Sequence, residues 1–99
     1  MAEKHLRWTE RAIQEYEQLL TYLWKEWGEE TTIKVCEEID KKIFHIQKSP
    51  EQFPVFLKTK KIHRCVVSHQ TSIFFRIQKE SIELLSLFDN RQDPKKRKL

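Results

Sequence analysis

Apolar residues recur at steps of three and four through the first half of the chain and at steps of two through the second. Between Glu3 and Trp8 the alternation is short, with His5 and Arg7 on one side and Leu6 and Trp8 on the other, which predicts a strand. Thr9 then stands where an N-cap belongs: its hydroxyl can accept from an early helix N–H, and Glu10 suits the positive helix end. Ile13, Tyr16, Leu20, Leu23, Trp24 and Trp27 follow on one helical face. Gly28 closes that helix, because glycine takes the left-handed conformation without steric cost. A second helix starts at once. Its apolar stripe is Ile33, Cys36, Ile39, Ile43 and Ile46, its wet face Glu37, Glu38, Asp40, Lys41 and Lys42, and Ser49-Pro50 ends it. Helices joined this tightly pack antiparallel, as a hairpin.

Past Pro50 the period drops to two. Ile62–Ser68, Thr71–Gln78 and Ile82–Phe88 read as three strands rich in Val, Ile, Phe and Leu, with a shorter extended stretch at Pro54–Leu57. The connections His69-Gln70 and Glu80-Ser81 are short enough only for hairpins, so the strands form an antiparallel meander. Two-residue turns would set Ser68 opposite Thr71, Val66 opposite Ile73 and Arg64 opposite Phe75. One face then carries Ile62, Val66, Ile73, Phe75, Ile77, Ile82, Leu84 and Phe88 and packs on the helices. The other carries His63, Cys65, Phe74, Arg76, Leu85, Leu87, Asp89 and Arg91. In a two-layer domain nothing covers this second face, so Phe74, Leu85 and Leu87 beside arginines read as a binding surface, unless a chain terminus folds over it. The expected fold is α+β: an N-terminal strand and a two-helix hairpin on one face of a mainly antiparallel sheet of three to four strands.

Composition narrows the function. At 99 residues and 12.1 kDa the chain is one domain, residues 1–99, with 95–99 a basic tail. Net charge +4 hides a split. Residues 1–54 hold 8 Lys and Arg against 11 Asp and Glu, whereas residues 55–99 hold 11 against 4. The second half thus presents a positive surface suited to nucleic acid or an acidic protein. A single glycine excludes Gly-rich phosphate loops, and neither CxxC nor HExxH occurs. No cofactor or metal is expected. Two cysteines, no apolar segment near the roughly 20 residues of a membrane span, and no secretory leader fit a cytoplasmic protein. His63, Arg76 and Arg91 form the one constellation with chemistry: an imidazole to move protons and guanidiniums to neutralise a phosphate. The same arginines would equally bind a partner's carboxylates.

The sequence also resembles the RelE/ParE superfamily of bacterial toxins from type II toxin–antitoxin modules. The resemblance rests on Trp8-Thr9-Glu10-Arg11-Ala12, Tyr22-Leu23 to Trp27-Gly28, Ile43 to Ile46, Ser49-Pro50 and Phe53-Pro54. Its longest runs are Thr71 to Ile77 and Ile82 to Pro94, and it covers about residues 5–95. It implies a cytoplasmic growth inhibitor neutralised by a cognate antitoxin, which would meet Phe74, Arg76, Leu85, Leu87 and Arg91, and it allows a homodimer. RelE-like members cut ribosome-bound mRNA. Their sheet arginine falls near Ser72, their lysines near His63 and Cys65, and no tyrosine follows Arg91. ParE-like members poison DNA gyrase, and Arg91-Gln92-Asp93 is similar to their closing strand. The resemblance therefore implies a ParE-like gyrase inhibitor first. A RelE-like endoribonuclease and a degenerate member that only binds antitoxin or nucleic acid stay open.

Overall fold

The computed structural model describes residues 4–68 and 71–89, the last two through their backbone only. Strand β1 (His5–Trp8) leads into helix α1 (Glu10–Trp27) and helix α2 (Glu29–Lys48), then, past a 3-10 turn at Pro50–Gln52, into β2 (Val55–Leu57), β3 (Ile62–Val66), β4 (Thr71–Ile77) and β5 (Ser81–Asp89). Thr9 caps α1 as expected, its Oγ1 accepting from the Ala12 amide at 3.1 Å. The Thr9 amide and hydroxyl also donate to the Leu84 carbonyl, at 3.1 and 2.8 Å, so the cap ties α1 to the sheet. Gly28 alone separates the helices. Its φ of 89° and ψ of 179° suit glycine, and its N–H closes α1 on the carbonyls of Leu23 and Trp24.

The sheet has five strands in the order β1-β5-β4-β3-β2: four as in the sheet expected, with the N-terminal strand added to them as an extra member. The extra strand is β1, which lies parallel to β5, from His5 opposite Ser81 to Trp8 opposite Leu84; the other pairings are antiparallel. The short stretch at Val55–Leu57 is the opposite edge. Together these elements make a mixed α+β sandwich of one helical layer and one sheet.

Two details depart from the periodicity. The inward stripe of α1 is Ala12, Tyr16, Leu19 and Leu23, rotated from the expected one, while Ile13, Trp24 (57% exposed) and Trp27 (61%) face outward. Both stripes have helical spacing; small Ala12, fully buried, faces the core where bulky Ile13 was expected to. In α2, Ile39, Ile43 and Ile46 are buried as expected, Cys36 is half-buried, and Ile33 points out while Thr32 points in.

The second departure is register. Val66 pairs with Ser72, Arg64 with Phe74 and Ile62 with Arg76, a slip of one residue. The amides of both Val67 and Ser68 donate to the Thr71 carbonyl, so the hairpin closes through a longer turn than the two residues assumed. A slip of one moves every β3 side chain to the other face. Cys65 and Val67 therefore join the helix-side core of Ile39, Ile43, Ile46, Ile73, Phe75, Ile82 and Leu84, whereas Ile62 crosses to the open side beside Phe74. An irregularity between Phe74 and Phe75, where β5 inserts Leu85, likewise carries Leu87 to the helix side.

Candidate interface on the open sheet face

The face opposite the helix-side core is built on a small apolar patch, and α1 reaches it at β5, where Ser86, paired with Phe74 and fully buried, donates from Oγ to Glu15 Oε1 at 2.7 Å. Ile62 and Phe74 are fully buried, with Phe56, Leu57 and Leu85 half-buried around them, and the Phe56 ring meets Phe74 edge-on at 4.8 Å. Phe74 was expected to be exposed; packing by β2 and Leu85 seals it, leaving Leu85 as the accessible part of that pair.

Two arginines rise from this patch. Arg64, which the two-residue turn would have sent to the helices, lies beside Phe74, its guanidinium 5.9 Å from the ring, and its Nε donates to Ser72 Oγ at 3.1 Å. Arg76 occupies the open face as expected, between Ile62 and Glu83 on the neighbouring strands. Its Nε is shielded from solvent and meets no acceptor among the described residues. A guanidinium donor closed off from water without a partner is costly, and a carboxylate or phosphate arriving from outside would satisfy it.

His63 does not join them. It stands opposite Phe75, not Arg76, on the helix-facing side of β3. Its ring stacks on Phe75 at 5.3 Å and 16°, and Nδ1 is 2.8 Å from the Phe53 carbonyl oxygen. Leu87, expected beside the arginines, is 6% exposed within the helix-side core. Arg91 and the tail at 95–99 lie outside the described residues. Of the expected constellation, then, Arg76 keeps its place, His63 and Leu87 leave, and Arg64 enters. Arg64 was hidden from sequence reasoning because its face depends on the length of one turn.

Cys65 is 1% exposed, and burial pushes its thiol up to about 11 against the opposing pull of the Lys42 charge. Such a thiol is a poor nucleophile. Among the described residues no three His, Cys, Asp or Glu side chains group closely enough to hold a metal ion, and no helix is long and apolar enough to cross a membrane.

No protein-family model matches the sequence, and no curated protein matches it. Solved structures do match. A chain of the chromosomal ParDE toxin–antitoxin system from P. aeruginosa superposes with a TM-score of 0.74 at 17% identity, over 88% of this chain and 96% of that one. The YoeB dimer from Staphylococcus aureus gives 0.62 at 13% identity, over 88% and 97%, and the YoeB/ParE toxin from Agrobacterium tumefaciens 0.61 at 14%, over 86% and 97%. With the helix hairpin, the meander and the parallel N-terminal edge strand all in place, the fold is that of the RelE/ParE-type toxins.

Proposed function

We propose that the chain is the toxin of a type II toxin–antitoxin module and that it acts in the ParE-like manner, inhibiting DNA gyrase by binding and cutting no RNA. The observation that carries this reading is the separation of His63 from the arginines. Proton transfer by an imidazole during cleavage of a phosphodiester held at Arg76 needs a histidine on that side of the sheet. The only histidine of β3 faces the helices and is engaged by Phe53 and Phe75. A face with guanidiniums and, among the described residues, no adjoining imidazole suits recognition better than catalysis.

The antitoxin would lie across the same face. Its carboxylates would meet Arg76, and its apolar side chains would seat against Leu85 above the Phe74 patch. ParDE and the YoeB–YefM complex from Staphylococcus aureus, which shares the fold at a TM-score of 0.60, are toxin–antitoxin assemblies and support a protein partner of that kind.

The test pairs two assays on the purified chain. Gyrase supercoiling should be inhibited and then restored by antitoxin, while ribosome-bound mRNA stays intact. Cleavage of that message, lost on His63→Gln, would establish the endoribonuclease instead.

A further inference from the structure

The pairings bring three separate stretches of chain to one end of the sheet. Leu57 opposite Ile62 places the turn Lys58–Lys61 there, Ile77 opposite Ile82 places Gln78–Glu80, and His5 opposite Ser81 places Lys4. These stretches hold Lys4, Lys58, Lys60, Lys61 and Lys79 against Glu80 alone. Lys58, Lys60, Lys61 and Lys79 are exposed, and Lys4 is pinned by a 2.6 Å bond from Nζ to the Gln78 carbonyl. The two turns are about 10 Å apart, two strand spacings. Arg76, level with Ile62 at the start of β3, extends the positive track onto the open face.

We infer that this end of the sheet binds the phosphate backbone of duplex DNA. Lysines on two turns at one edge are point charges that can follow phosphates without reading bases. Proteins that hold single strands add aromatic platforms on which bases stack. Among the described side chains, the exposed aromatics Tyr22, Trp24, Trp27 and Phe44 all lie on the helices, and Phe56 and Phe74 are turned into the patch. The track therefore favours a duplex, grasped from outside. This deepens the gyrase reading and rests on it for its setting: the toxin would touch the DNA that gyrase holds as well as the enzyme.

The experiment measures anisotropy of a labelled duplex of about 30 base pairs with the full chain, between about 50 and 200 mM salt. The variant carries Lys58→Gln, Lys61→Gln and Lys79→Gln; Lys41→Gln, on the exposed side of α2, is the control. The triple variant should bind at least about tenfold more weakly, with a log–log salt slope shallower by about 2 to 3, while the control matches wild type. Equal binding by wild type and triple variant overturns the proposal, as does tighter binding to a single-stranded RNA of the same length. Lysine-dependent duplex binding without inhibition of supercoiling would sustain this inference and sink the gyrase reading. Inhibition of supercoiling with lysine-independent DNA binding would do the reverse.

Discussion

The two cysteines of this chain differ by what surrounds them, and a thiol titration reads the difference. Cys65 lies beneath the helices, its ionisation raised to about 11 by burial, whereas Cys36 sits half-buried on α2. A disulfide reagent at pH 8 should modify Cys36 in the native protein and both thiols only in denaturant. Rapid reaction of two thiols in the folded state would contradict the register. The same shift fixes a sign. Burial favours the neutral thiol, so the stability this group contributes is full below its ordinary value of 9.0 and is lost as pH rises toward 11. Residues whose role is local, such as Thr9 at its cap, were legible in the sequence because the chemistry lies within three positions. His63 and Arg64 were not, since which face each takes is decided by a turn several residues away.

At the scale of elements, the helix boundaries are carried by two residues, and each can be tested alone. Gly28 sits at φ 89°, ψ 179°, with nothing within 4 Å of where a Cβ would lie. Gly28→Ala therefore meets no steric obstacle and should cost about 1 to 3 kcal/mol from backbone strain alone, measured by urea unfolding. Thr9→Ala removes both a cap and a tie to Leu84 and should cost about 1 to 2 kcal/mol. A Gly28→Ala protein as stable as wild type would mean the single-residue link is built differently. Helices and strands could be placed from periodicity because each period repeats many times. The register could not, because one extra residue in a turn, or Leu85 inserted in β5, leaves the period intact and reverses the faces beyond it. The N-terminal strand was expected, but its parallel pairing was not legible for a related reason: β1 has four residues, and nothing in them names a partner nearly eighty positions away.

At the scale of the whole molecule, the sheet divides two kinds of work. Its helix side holds the core that includes Cys65, Phe75 and Leu87, and its open side holds Arg64 and Arg76 over a sealed patch. Charge separates by element as well: the helices lie in the acidic part of the chain, and β2 to β5 with their described turns carry Lys58, Lys60, Lys61, Arg64, Arg76 and Lys79 against Glu80, Glu83 and Asp89. His63 is the residue whose side of the sheet matters most for function. If it serves the fold, His63→Gln keeps a donor within reach of the Phe53 carbonyl but loses the stack on Phe75, at about 0.5 to 1.5 kcal/mol. The melting temperature should then fall by several degrees, since about 1 kcal/mol shifts a domain of this size by 4–8 °C. Gyrase inhibition, measured well below the melt, should be unchanged. Arg76→Glu should behave oppositely, keeping the melting temperature within a few degrees while weakening antitoxin binding by at least about tenfold, because it turns an anion-seeking group into a repelling one. If His63→Gln instead left the melt untouched and abolished growth inhibition, the imidazole would have to act at the target, and the division between the two sides of the sheet would fail as an account of this protein.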